Sequence, residues 1–203
     1  MRPNLRHPKL PLRLIVLAVL AFGLLHSCSK SSDSPTQSAV DSIQCGVERW
    51  GVKTLTDSDA GSVALAAINS SIFEQDTCAQ VTVGEQTPRL AFERQLVRIP
   101  CTIVAFKHED DSDIHLIITD DIQDTMIAEI PSVSCPVVST SAHAGDYRAA
   151  AQWVASNLGK LTTSFKHVSM KATITGVVFQ DFAHGQTGHS PNYREIHPVL
   201  KIE

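Results

Sequence analysis

Residues 44–203 predict a mixed α+β domain built mainly from strands, and three observations carry that expectation. Five short segments are rich in β-branched residues or alternate apolar with polar side chains. A single longer segment, Asp146–Asn157, has helical composition between a capping residue and a terminating glycine. Three of the strand segments precede that helix and two follow it.

The elements follow in order. Cys45–Leu55 alternates loosely and reads as the start of a strand. Thr56-Asp57-Ser58-Asp59 offers N-cap residues ahead of the Ala-rich stretch Ala60–Ile68, which reads as a short helix in an N-terminal helical extension. Ile72–Pro88 carries no clear periodicity. Leu96–Phe106 reads as the first strand, broken at Pro100. Ile114–Thr119 and Thr125–Ile130 are the second and third strands, and Pro131–Gly145 is an irregular connection. Asp146 caps the helix and Gly159 ends it. Lys166–Phe179 and Arg194–Ile202 are the fourth and fifth strands. Three strands, a helix and two strands is the order of an OB-fold, a five-stranded Greek-key barrel with its helix between strands 3 and 4. Another α+β meander is the competing architecture. Gly176 in the long fourth strand suits the bend a small barrel needs.

Register follows from the apolar alternation. Ile114, Leu116 and Ile118 share one face of the second strand, and Met126, Ala128 and Ile130 share one face of the third. A hairpin loop over Asp120–Asp124 sets these triplets opposite each other. A one-residue slip would turn one of them outward. The same register places His115 opposite Glu129 on the outer face.

The first residues set the address. Arg2, Arg6, Lys9 and Arg13 precede the apolar run Leu14–Leu25, which is followed by Leu25-His26-Ser27-Cys28. This is the layout of an export signal over residues 1–27. Its last four residues resemble a bacterial lipobox, which implies lipidation of Cys28 and a membrane anchor facing the periplasm or exterior. The run has 12 residues, short of the roughly 20 a transmembrane span requires. Residues 28–43 are Ser-rich and read as a flexible tether. The chain carries 17 basic and 21 acidic residues, and residues 1–27 hold four basic and no acidic ones. The mature chain is left with 13 and 21, a net charge of −8. That charge opposes nucleic-acid binding, which depends on Lys and Arg against phosphate. Aromatic residues make up only 5% of the chain, too few for a base-stacking platform.

Four cysteines remain in the body: Cys45, Cys78, Cys101 and Cys135. In an oxidising compartment they suggest two disulfides with three possible connectivities, the alternative being one bridge and two buried thiols. Cys45 and Cys135 flank the strand core, so a bridge between them would tie the N-terminal segment down. Cys78 with Cys101 would then form the second.

Three groups of polar residues carry chemistry. The turn His108–Asp113 holds Glu109, Asp110, Asp111 and Asp113, enough oxygen ligands for a hard cation, or simply a solvated acidic turn. His115 beside Glu129 is either an oriented imidazole or an ordinary cross-strand pair. The loop Asp181–Tyr193 holds Asp181, His184, His189 and Asn192. It can offer imidazole and carboxylate to a transition metal, or serve as a long turn. Glu195 and His197 share one face of the last strand. OB-folds bind ligands on the strand 2–3 face between the strand 1–2 and 4–5 loops, and these groups fall in those three places. The expected function is therefore an exported binding module for a small or polar ligand or a divalent cation. A metal-dependent phosphodiesterase or nuclease and a structural envelope protein are the alternatives. There is no GxSxG elbow, P-loop or dinucleotide fingerprint.

The segments ERWGVKTLTD (Glu48–Asp57), EDDSDIHLII, TMIAEIP, GVVFQDFAHGQTGHSPN and REIHPVLKI resemble a family of uncharacterised bacterial exported proteins, a resemblance spanning most of Cys45–Ile202 that implies export but no activity. The strand order also resembles that of staphylococcal-type thermonucleases. Those use carboxylates and arginines around Ca²⁺, whereas this chain offers only Arg94, Arg98 and Arg194 as phosphate clamps.

Overall fold

Alternating apolar residues on successive strands decide the sheet. A computed structural model describes residues 43–120 and 124–203. The expected export signal, Cys28 and nearly all of the tether lie outside the described residues. The elements are α1 (Trp50–Lys53), β1 (Ile68–Asn69), α2 (Ile72–Asp76), β2 (Leu96–His108), β3 (Ile114–Thr119), β4 (Thr125–Ile130), α3 (Pro136–Ser139), α4 (Ala144–Asn157), β5 (Lys166–Gln180) and β6 (Arg194–Ile202). The protein is a mixed α+β structure around a six-stranded sheet of order β1-β2-β3-β4-β6-β5, in which β2 also pairs with β5. Among the described residues no helix is long and apolar enough to cross a membrane.

The five expected strands are all present, and the β3–β4 register is the one the alternation requires. Ile114 pairs with Ile130, His115 with Glu129, Leu116 with Ala128 and Ile118 with Met126. The core gathers those triplets with Ile99, Ile103 and Phe106 of β2, Ile174 and Val178 of β5, and Ile196 of β6. Helix α4 contributes Tyr147, Ala150 and Val154, a stripe at helical spacing. At Gly176 the β5–β6 register shifts. A Cβ there would lie 2.4 Å from Ile196 Cγ2 and 2.6 Å from the Pro198 carbonyl, so only glycine admits this approach.

Several local expectations are corrected. The Ala60–Ile68 helix is a single 3₁₀ turn at Ala60–Ser62, after which the chain extends. Residues 64–68 are exposed, so no apolar face is buried to stabilise a short helix. Instead Ile68–Asn69 pairs in parallel with Val97–Arg98. The segment expected to start as strand near Cys45 contains α1. Helix α4 begins at Ala144, with Asp146 inside its first turn rather than at the cap. Strand β2 runs unbroken through Pro100, a position paired on the β5 side.

Only one of the two expected disulfides forms. Cys45 is bonded to Cys135, while Cys78 and Cys101 are free. Cys101 points into the core, where burial pushes its thiol pKa up to about 12. Cys78 lies just beyond α2, with its thiol 3.3 Å from the Glu74 carbonyl.

Helix α2 starts with a capping box: Ser71 Oγ accepts from the Glu74 amide and Glu74 Oε2 from the Ser71 amide. Its last residue, Asp76, has both carboxyl oxygens buried without a hydrogen-bond partner. Burial, then the charges of Asp124 and Asp120, push its pKa up to about 7. The folded state therefore holds this proton more tightly than the unfolded chain. Asp76 favours folding at pH 4, and that contribution is lost as pH rises toward 7. Asp76→Asn should raise the melting temperature at pH 8 and change it little at pH 4.5. An equal shift at both pH values would contradict this assignment.

Candidate functional site

The alternation that sends Leu116 and Ala128 into the core turns His115, Glu129, Ile117 and Ile127 to the other face. That face was expected to be exposed, and it is not. Exposure is 1% at His115, 3% at Glu129, 2% at Glu195 and 0% at His197 and Asp113. Three segments cover it. The Asp181–Tyr193 loop lays Gly188 on Ile117, so closely that a Cβ would come within 2.7 Å of the isoleucine. Phe165 packs edge-on against His115 at 5.3 Å. The N-terminal segment is fixed by the Cys45–Cys135 bridge, by Ser112 Oγ donating to the Gln44 carbonyl, and by α1.

Helix α1 brings in Lys53, which the sequence reading did not single out. Its Nζ lies 3.9 Å from Asp181 Oδ1 and 5.4 Å from the centre of the Phe179 ring. A lysine on a one-turn helix has no periodic signal, and its burial depends on how a remote segment docks. Arg49, just before the helix, is anchored by a buried pair with Glu93 at 2.6 Å.

The polar groups converge around Glu129. His115 Nδ1 is 2.9 Å from Glu129 Oε1 and 2.8 Å from Glu109 Oε1. His197 Nδ1 is 3.0 Å from Glu129 Oε2, and its Nε2 is 3.5 Å from Asp113 Oδ2. Neither approach of His197 has hydrogen-bond geometry. Both its nitrogens, Asp113 Oδ2, His115 Nε2 and Glu195 Oε2 are buried without a hydrogen-bond partner. Orphaned polar atoms are rare in native proteins and each calls for an explanation. Asp113 Oδ1, by contrast, accepts from the Ser132 amide at 2.8 Å, which fixes the carboxylate's orientation.

Charges in the cluster act strongly on one another. Burial opposes ionisation of Glu129, but His115, His197 and Lys53 outweigh it and hold the carboxyl well below its usual range. Burial, reinforced by Asp181 and Glu129, drives Glu195 well above that range. Asp113 rises to about 6 through burial, with His197 opposing. Burial lowers the His115 pKa, but Glu109 and Glu129 overcome it and raise the value to about 9. Burial works against the Lys53 charge too, yet Asp181, Glu129, Glu195 and Asp111 keep it protonated above the ordinary lysine range.

Two residue sets have cation-ligand geometry among the described residues: Glu109, His115 and Glu129, and Asp113, Glu129 and His197. In each set the ligand atoms lie within 4.8 Å of one another. Metal–ligand bonds of about 2.1 Å separate neighbouring ligand atoms by roughly 3.0–3.4 Å; the nitrogen–oxygen contacts here run from 2.8 to 3.5 Å, with His197 meeting Glu129 through Nδ1 and Asp113 through Nε2. Beside them opens a cleft of about 420 Å³ whose walls include Glu48, Lys53, Glu109, Asp111, Glu129 and His184.

The other sequence candidates divide. His184 faces the cleft and pairs through Nε2 with Asp181 Oδ2. Asp111 lines the cleft and accepts from the Asp113 amide. Asp181 and Glu195 adjoin the ligand sets electrostatically and belong to neither. His189 is not brought to His184 as a shared metal ligand. It is 2.7 Å from the Ser190 carbonyl and stacks on Tyr193 at 4.5 Å. Asn192 does structural work: its amide donates to the Gln75, Asp76 and Cys78 carbonyls, and its Oδ1 accepts from the Arg194 amide and Ser190 Oγ. Of the three arginines, Arg94 and Arg98 pair with Asp59 and Glu203, and Arg194 lies over Phe92.

No family model, curated protein or solved structure matches this chain.

Proposed function

We propose that this protein is an exported, lipid-anchored module of OB-fold type that binds a divalent transition-metal cation at Asp113, Glu129 and His197. The OB assignment is supported by strand pairing: β2-β3-β4-β6-β5 run in sequence, β2 pairs again with β5, and α4 lies between β4 and β5. The export assignment is supported by the basic and apolar residues ahead of Cys28 and by the resemblance to exported bacterial proteins. One observation carries the metal assignment. Asp113 and His197 are fully buried, His197 lies between Asp113 and Glu129 at 3.5 and 3.0 Å, and the three contacting atoms of His197 and Asp113 make no hydrogen bond. Imidazole with carboxylates suits Zn²⁺, Ni²⁺, Co²⁺ or Mn²⁺ better than Ca²⁺ or Mg²⁺, which favour all-oxygen sites.

The test is thermal unfolding of metal-free protein with each cation. A cation at about 100 times its Kd for this site should stabilise the fold by ~2.7 kcal/mol, and His197→Ala should remove that part of the gain. An unchanged melting temperature with every cation would remove the proposal, as would full stabilisation of the variant.

A further inference from the structure

We infer that the site holds two cations bridged by Glu129, the second bound by Glu109 and His115 beside the cleft. This rests on the proposal that the Asp113–Glu129–His197 set binds a metal, and it adds a site of different accessibility.

The ligand atoms group into two sets rather than one, and Glu129 is their common member. The five residues do not form a single set with ligand atoms within 4.8 Å of one another, so each ion draws on three of them. The sets also use opposite oxygens of Glu129. His115 approaches Oε1 and His197 approaches Oε2. A carboxylate engaged from both oxygens is the usual bridge between metals about 3.5–4 Å apart. Each set then supplies one imidazole and one further carboxylate, Glu109 on one side and Asp113 on the other.

Charge also favours bound cations. Glu109, Asp111, Asp113, Glu129 and Asp181 outnumber Lys53, His115 and His197 in this cluster. Imidazoles that bind cations give up their protons, and the carboxylate excess that remains is offset by bound dications.

The two positions differ in exposure. Asp113 and His197 are enclosed and do not line the cleft, whereas Glu109 is partly exposed and lines it with Glu129. The second ion therefore meets the cleft on its Glu109 and Glu129 side, where it keeps coordination positions for water or a small oxyanion, as catalytic rather than structural metal sites do.

Titration of metal-free protein with Zn²⁺, followed by calorimetry and elemental analysis, should give two equivalents. His115→Ala should give one. Glu109→Gln, a change at a partly exposed turn that the fold tolerates, should weaken only the second equivalent. The loss should exceed the roughly 10- to 100-fold that removing an outer-sphere partner costs. With Mn²⁺, two ions sharing a carboxylate should show an exchange-coupled electron paramagnetic resonance spectrum that disappears in His115→Ala. A single equivalent in the native protein, or two strong equivalents retained by Glu109→Gln, would overturn the second site and leave the first. No binding at all would overturn both.

Discussion

Arg49→Met should destabilise the protein by about 3–5 kcal/mol, the range for breaking a buried ion pair from one side. Arg49 and Glu93 are both inaccessible to solvent, and the guanidinium meets the carboxylate through two bonds of 2.7 and 2.6 Å. It also donates to the Thr87, Pro88 and Gln180 carbonyls and lies 4.8 Å over Phe179. Glu93 in turn accepts from the Leu90 and Gln180 amides. Arg49 has φ 49°, a left-handed conformation that costs an ordinary side chain energy. This bonding network is what holds it there. In Arg49→Met the Glu93 carboxylate stays buried with no counter-charge. The double variant Arg49→Met with Glu93→Gln removes both charges and keeps an oxygen for the backbone amides. It should therefore be less unstable than the sum of the single changes. Urea unfolding of all four proteins measures the coupling, and strict additivity would contradict a mutually compensated pair. Because Arg49 precedes the helix that carries Lys53, Arg49→Met should also weaken Zn²⁺ binding.

The strand framework was legible because its causes are local. Alternation in Ile114–Ile118 and Met126–Ile130 fixes both the register and which side chains enter the core. The same alternation paired His115 with Glu129 and put Glu195 and His197 on one strand face. It could not show that this face is covered. Coverage depends on contacts remote in sequence: Gly188 against Ile117, Phe165 against His115, and α1 docked through Arg49 on Glu93, 44 residues away. Propensity misled at Ala60–Ile68, where no tertiary surface receives a helix. Asn192 looked like a ligand residue because polar loop residues can bind or can build the loop, and only its five hydrogen bonds decide between them. Asp113 lay in an acidic turn that read as solvated, yet a single bond to the Ser132 amide draws it under the surface beside His197.

Removing the Cys45–Cys135 bridge should cost about 4–5 kcal/mol, the largest expected effect of any covalent change. The bonded residues are 90 positions apart, and in the chain-entropy treatment a loop of that order restricts the unfolded ensemble by about this amount. The bridge also has a local consequence. Gln44 and Glu48 lie beside Cys45 and line the acidic cleft. Residues 43–48 contain no helix or strand of their own, so their placement depends on the disulfide, the Ser112–Gln44 bond and the start of α1. The variant Cys45→Ser with Cys135→Ser should unfold at correspondingly lower urea and release Zn²⁺ faster. Dithiothreitol should move the native protein to the variant's stability and leave the variant unaffected. Denatured but unreduced protein lacking residues 1–28 should alkylate at two thiols, Cys78 and Cys101. Four alkylated thiols, or a reductant effect on the variant equal to that on the native protein, would show that this bridge does not hold the N-terminal segment over the site.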